Sequence, residues 1–425
     1  VLAVVLALAA FGCGFGALWV QAGLSQPVAS NCGSATQSFN VNAGDGSSTI
    51  ADNLEKQHLI RNANIFKLYM KLRGKTLNVT KGTYQLSPCW NLQQIITVLN
   101  TPPSAAYVTF TVREGYRLTQ YPSEILNSAV LHDPGNTDDG ANGQAALPNF
   151  KTSDFINATV TGSLTIPNLS DYWWIKEWNT KGGSLTVLEG YLFPSTYDVY
   201  PSDDTVTIIK RMLKGFAEQL CPGPDAADID QYIFDQTQCM AHQATITLPA
   251  AKSGETAVPG AGSKMGVFDA LKKYYPGANV PTELQQALTI ASYAQREART
   301  SANFFLVASV YYNRFAKQGG GTNGLENADP AEQYWLGRNA TGNTDPWAAL
   351  PALPSNLPNN PYNLYLTAGL SPSAIAGTSQ DALYAAIFPP STNYYYFIYT
   401  CDHQNHYEAT NQQQLADENQ YGGSC

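Results

Sequence analysis

Apolar and polar positions follow two different periods along this chain, and the periods sketch its elements. Residues 39–44 (FNVNAG) and 82–86 (GTYQL) alternate at period two, as a half-buried strand does. Between them, Ile50, Leu54 and Leu59 within 48–60 recur at helical spacing, and so do the apolar residues of 62–74, which ends on Gly74. A further helix is predicted over 91–100, giving a strand–helix–helix–strand unit with one added helix. Beyond it, 107–118 reads as strand, turn and helix, and 131–148 as a solvated loop or insertion. Helices are predicted over 205–220, capped by Asp203 or Asp204, over 228–244, and over 264–277 after a loop at 248–263. In 285–300 (QQALTIASYAQREART), Ala287, Ile290, Ala294 and Glu297 share one helix face, with Thr282 and Gln285 as a capping box. A helix over 304–317, a Gly-, Asn- and Pro-rich loop over 318–361, a helix over 379–388 and a strand over 393–400 complete an α+β pattern.

Residues 1–20 carry no charge, and about 20 such residues span a bilayer core as a helix. That run is longer than the apolar core of a cleaved signal, so 1–22 is expected to be a retained membrane anchor followed by a polar linker, 23–37. Val1 is not a natural start, and a cytoplasmic piece is expected before it. The remainder divides into a small domain, 38–104, and a larger one, 105–425.

Composition narrows the function. The formal net charge is −9 over 425 residues, which argues against a nucleic-acid partner because no excess of Lys and Arg exists to displace counterions. Only 13% of residues are charged, and the polar remainder suits an extracytoplasmic protein. Six cysteines lie beyond the apolar run, and Cys221–Cys239, Cys401–Cys425 and Cys32–Cys89 are the expected disulfides. No CxxC pair is present, and His403 with His406 lacks a third ligand, so no metal and no cofactor is predicted.

Five segments, in order, carry a resemblance: LEGYLFPSTYDV (188–199), TIASYAQREA (289–298), VASVYYNRF (307–315), NPYNLYLTAGLSPSAI (360–375), and YYYFIY with HYEAT (394–410). Together they resemble the MltG/YceG-like family of membrane-anchored endolytic murein transglycosylases. The resemblance implies that the small domain is LysM-like. It also implies a larger mixed α/β catalytic domain with a helix-borne catalytic glutamate, Glu297, the last residue of the family's ASxxxxE pattern. The second glutamate that many members carry is Gln295 here. Glu189 and Tyr191 match cleft positions, and Asn363, Tyr365 and His406 match polar positions of the family. Asp329 is retained from a further motif, whereas Glu326 replaces Gln there and Ser195 replaces Asp in the 188–199 segment. Tyr191, Tyr197, Tyr362 and Tyr365 are candidate sugar platforms, Tyr197 with a core role equally open. Glu189, Glu326 and Asp329 are expected to hydrogen-bond sugar or to fix loops. Arg296 and Arg299 are expected to be solvent or structural residues.

The implied reaction cleaves the MurNAc-β-1,4-GlcNAc bond of nascent glycan strands and leaves 1,6-anhydroMurNAc ends. One glutamate suffices as acid and then base. A free Glu would be ionised at neutral pH, so partial burial of Glu297 is what a general acid requires. A muramidase would need a second carboxylate. A non-catalytic peptidoglycan-binding protein is the other alternative. The resemblance implies glycan strands as substrate, peptidoglycan synthases of the elongation machinery as partners, and a single-pass protein of the cell membrane with its catalytic domain outside the cytoplasm.

Overall fold

A computed structural model of the chain describes residues 27–29, 37–41, 45–72, 79, 82–100, 107–132, 141–175, 188–223, 232–275, 277, 279–317, 319–337, 347, 350, 356–401 and 404–422. The expected anchor at 1–22, most of the linker, and Cys13, Cys32, His403 and Cys425 lie outside these residues. Among the described residues, no helix is long and apolar enough to cross a membrane. The chain divides into two compact units, 1–107 with 132–140, and 108–131 with 141–425.

The first unit runs β1 (Gln37–Val41), α1 (Ser47–Lys56), α2 (Ala63–Leu72), β2 (Gly82–Leu86) and α3 (Leu92–Leu99). Strands β1 and β2 pair antiparallel with Phe39 opposite Tyr84, so both rings enter the same core. Ile50, Leu54, Phe66, Ile95 and Leu99 fill it from the helices. Each such burial contributes about 1.5–3 kcal/mol, which is what fixes the register of a two-stranded sheet. Asn91 and Gln94 form a capping box that starts α3.

The second unit begins with β3 (Tyr107–Thr111), α4 (Tyr121–Ser128), β4 (Val130–His132), α5 (Thr152–Thr159) and β5 (Thr196–Val199). The strands form a sheet in the order β4-β3-β5, with β3 and β5 antiparallel. Helix α6 (Thr205–Leu220) follows. Of its two candidate caps, Asp204 accepts the Thr207 N–H (2.8 Å), while Asp203 accepts the Tyr200 N–H (2.9 Å) in the preceding turn. Cys221 and Cys239 form a disulfide between the end of α6 and α7 (Gln236–Ala241). Cys89 and Cys401 are disulfide-bonded too, while the partners expected for them, Cys32 and Cys425, lie outside the described residues.

The hairpin β6 (Thr245–Thr247) and β7 (Lys264–Gly266) brackets the 248–263 loop, so the helix expected from 264 starts only after the strand, as α8 (Val267–Tyr274). Within 228–244, the described helix of more than one turn is α7 alone. The core then holds α9 (Val280–Glu297), α10 (Ser301–Tyr312) with a π-helical turn at Asn313–Lys317, α11 (Asp329–Gly337) and α12 (Gln380–Ile387). Helix α11 lies inside the stretch predicted as loop. The chain closes with the hairpin β8 (Tyr396–Tyr399) and β9 (Asn405–Glu408), then α13 (Asn411–Tyr421).

Helix α9 departs from prediction in two ways. Asn279, not Thr282, is its cap, accepting the Thr282 N–H (3.0 Å) ahead of Val280 and Pro281. It is also no amphipathic surface helix: from Leu284 to Ala294 all but one residue are buried, so it runs through the core.

Candidate active site

The sequence of α9 explains how a carboxyl comes to sit where the core ends. Ala287, Ala291 and Ala294 are fully buried, and small side chains there let α10 and α12 pack close against the helix. Its polar residues bind one neighbouring segment. Gln285 donates to the Pro372 carbonyl (2.8 Å), the Tyr293 hydroxyl accepts the Ser371 N–H (2.9 Å), and Ser292 Oγ accepts the Ile375 N–H (3.0 Å). The Gln295 side-chain oxygen accepts the N–H of Ser379, the cap of α12 (2.7 Å). Glu297 is then the final residue of the helix, and it is half-buried.

Burial, first, and the nearby Asp329 charge, second, raise the Glu297 carboxyl to about 7, against the pull of Arg296, Arg314 and a hydrogen bond with Tyr311. The negative end of the helix dipole acts in the same direction as burial. Glu297 lines a pocket of about 650 Å³ with Arg296, Arg299, Asn303, Tyr399 and Asn405. Arg296 and Arg299, expected to be solvent or structural residues, therefore both border the site. Arg296 also packs over Trp347 (4.0 Å) and donates to the Gly115 carbonyl (3.3 Å).

Two predicted residues join Glu297. Asp329, at the start of α11, is exposed and accepts a hydrogen bond from the Tyr365 hydroxyl (2.8 Å). The Asp329 charge acts on the Glu297 carboxyl, and that carboxyl in turn acts on the Tyr365 hydroxyl. Asp329→Asn is expected to remove the repulsion that helps keep Glu297 protonated. The acid form would then be lost at lower pH, and the alkaline limb of kcat/KM, expected near pH 7 in the parent, would move down. A pH–rate profile of the two proteins checks this.

The other predicted residues stand elsewhere. Tyr191 is 1% exposed and packs edge-on against Phe216, so it is a core residue and not a sugar platform. Tyr197 and Tyr362 are likewise buried; Tyr197 donates to the Phe193 carbonyl, and Tyr362 bonds Ser373 (2.7 Å). Asn363 is buried, and its side-chain oxygen accepts the Tyr365 N–H (3.3 Å), which shapes the turn that presents Tyr365. Glu326 is 0% exposed; burial pushes its carboxyl far above the usual range, and Arg314 binds its backbone carbonyl. His406 stacks on Tyr421 (4.4 Å). It lies on the strand face opposite Tyr407, whose hydroxyl donates to Asn303.

Glu189 is buried, not in a cleft. It accepts the Leu118 N–H and the Tyr334 hydroxyl, each at 3.0 Å, beside Arg117, and so ties the 188–193 turn to the segment ahead of α4 and to α11. Burial raises its carboxyl to about 8. Because the folded pKa exceeds the unfolded one, this group favours folding at low pH, and the advantage is lost as pH rises through about 8. The melting temperature is expected to fall between about pH 5 and about pH 9, and Glu189→Gln to flatten that fall, as a calorimetric pH series would show.

The sequence reading missed Tyr311, Tyr399, Asn303 and Asn405. Alternation in YYYFIY places Phe397 and Tyr399 on one face and was the available signal for Tyr399. Tyr311 follows from its place in α10, fourteen residues beyond Glu297 in sequence, and only the packing of α9 on α10 brings them together.

Fold and site thus define a mixed α/β chain with a helix-borne acid at the lip of a polar pocket. Residues 39–420 match the YceG-like family, and the chain belongs to that family. It is 24% identical over 371 residues to a protein of Bacillus subtilis named endolytic murein transglycosylase, covering 85% of this chain and 78% of that one. A protein of the same name from Streptococcus pneumoniae is 25% identical over 375 residues, covering 87% of this chain and 55% of its own length. The chain therefore spans about half of the streptococcal relative. A solved structure of a yceG-like protein from Listeria monocytogenes is 23% identical, covers 90% of this chain and 98% of its own, and superposes with a TM-score of 0.45.

Proposed function

We infer that this chain is an endolytic peptidoglycan lytic transglycosylase with Glu297 as its acid and base. The observation that carries the reading is a half-buried carboxyl, raised to about 7, lining a pocket of about 650 Å³. Protonated Glu297 gives its proton to the glycosidic oxygen that joins MurNAc C1 to GlcNAc C4, and the bond from C1 to that oxygen breaks. The resulting carboxylate takes the proton of the MurNAc C6 hydroxyl as O6 bonds to C1. The strand ends in 1,6-anhydroMurNAc, the leaving strand carries a free 4-hydroxyl, and no water is consumed. A value near neutrality suits both halves, since the group must release and recover a proton at similar pH.

A second reading has one observation in its favour. Asp329 is an exposed carboxylate close enough to raise Glu297, so a muramidase pairing the two is chemically complete. Its hydrogen bond from Tyr365 and its influence on Glu297 give it a role in either case.

Other parts of the reading rest on sequence. The first unit acts as a LysM-like peptidoglycan-binding domain, 38–104, ahead of the catalytic domain, 105–425. Residues 1–22 anchor the chain in the cell membrane, with the catalytic domain outside the cytoplasm beside peptidoglycan synthases. The Cys221–Cys239 disulfide supports an oxidising compartment. Incubating long glycan strands with the whole chain tests the activity. Strands cut internally into shorter ones support it; strands bound at unchanged length favour a non-catalytic binding protein.

A further inference from the structure

The pocket beside Glu297 has a second wall, which the proton transfers do not use. Register pairs Tyr399 with Asn405 at the tip of the β8–β9 hairpin, and both line the pocket. The next pair on that face, Phe397 and Tyr407, holds the hairpin against α10. Phe397 packs edge-on against Tyr311 (5.8 Å), and Tyr407 donates to Asn303 Oδ1 (2.9 Å). The Thr256 hydroxyl donates to the Asn405 carbonyl (3.4 Å), joining the 253–256 loop to the same tip. A ring so anchored at its base stays 45% exposed at Tyr399, whereas Tyr191, Tyr197 and Tyr362 are buried. Arg299 also lines the pocket and is exposed, and among the described residues it makes no hydrogen bond or ion pair.

We propose that this wall is a saccharide subsite in which the Tyr399 ring stacks on a pyranose, Asn405 bonds its hydroxyl or acetamido groups, and Arg299 pairs with a carboxylate carried by the adjoining muramic acid unit. The proposal rests on the reading of the chain as a peptidoglycan-cleaving enzyme. An aromatic face with a few convergent polar groups is how a largely polar pocket orients a sugar. An exposed arginine with no hydrogen bond or ion pair among the described residues is matched by a planar carboxylate, which it binds through paired hydrogen bonds. That carboxylate comes either from the lactyl group of a stripped sugar or from the stem peptide of an intact one.

The test uses the whole chain carrying Glu297→Gln, so that ligand is bound and not consumed, with Kd read by calorimetry. The probes are a neutral N-acetylglucosamine oligomer, a peptidoglycan oligomer stripped of peptides, and one bearing them. Tyr399→Ala is expected to weaken all three by about tenfold, and Tyr399→Phe to retain binding. Arg299→Gln is expected to leave the neutral oligomer unaffected and to weaken the carboxylate-bearing probes by about tenfold; the more affected one identifies the source. In the active chain the same substitutions are expected to raise KM. Kd and KM unchanged by Tyr399→Ala and Arg299→Gln, with turnover intact, overturn the subsite and leave the enzyme standing. Absence of both turnover and saccharide binding in the unsubstituted chain overturns the functional reading and the subsite with it.

Discussion

Glu297→Gln is expected to lower turnover by about 10³-fold or more, because the side chain loses the ability to give a proton and to recover one. In the proposed mechanism both half-reactions run through that group, and Gln295, whose side-chain oxygen accepts the Ser379 N–H, stands where the resemblance would put a second glutamate. The substitution is conservative for folding. Glutamine keeps the shape, and it removes a carboxyl whose ionisation in a half-buried site opposes folding as pH rises through about 7. The variant is therefore expected to melt no lower than the parent near pH 8, where the parent is ionised. Soluble product formation and calorimetric melting, measured on the same samples, separate the two effects. Turnover within about tenfold of the parent would remove Glu297 from the mechanism.

Gly190→Ala is expected to produce a large loss of stability in the second unit. Gly190 has φ +87°, a conformation that costs an L-residue about 1–2 kcal/mol. A Cβ there would also lie 2.7 Å from the Ala374 Cβ and 3.0 Å from Leu288. Neither neighbour has room to yield, since Leu288 belongs to α9 and Ala374 to the segment that Ser292 and Tyr293 hold against it. Overpacking of this kind typically costs about 1–3 kcal/mol, for a combined loss of about 2–5 kcal/mol. Gly369→Ala provides the contrast: its φ is +91°, but nothing lies within 4 Å of the added atom, so only the conformational part should appear. Paired denaturant titrations of the two variants measure the difference. Equal losses would mean that the 188–193 turn does not press on α9.

The motif residues were legible in sequence where period and chemistry agreed. Ala287, Ile290, Ala294 and Glu297 recur at helical spacing, and the helix that carries them is present. Its burial was not legible, because Ser292, Thr289 and Gln285 look solvent-facing until their partners are known: Thr289 donates to the Gln285 carbonyl of its own helix, while Ser292 and Gln285 bond the Ile375 N–H and the Pro372 carbonyl of a neighbouring segment. The aromatics failed for a related reason. A tyrosine that stacks on sugar and one that fills a core are identical in composition, and only tertiary packing separated exposed Tyr399 from buried Tyr191. His406 was misplaced because its orientation depends on β9, a strand of four residues too short to announce itself by alternation. Helix α11 was hidden in a Gly- and Asn-rich stretch, although Asp329-Pro330 is a fair helix start.

Mass spectrometry of the strand ends made by the whole chain tests the central claim most directly. Transglycosylation through Glu297 predicts muramic acid ends lighter by one water than hydrolysed ends, absent after Glu297→Gln and formed without uptake of labelled oxygen from solvent water. Reducing muramic acid ends that carry the label would contradict it and would make Asp329 the partner of a hydrolase.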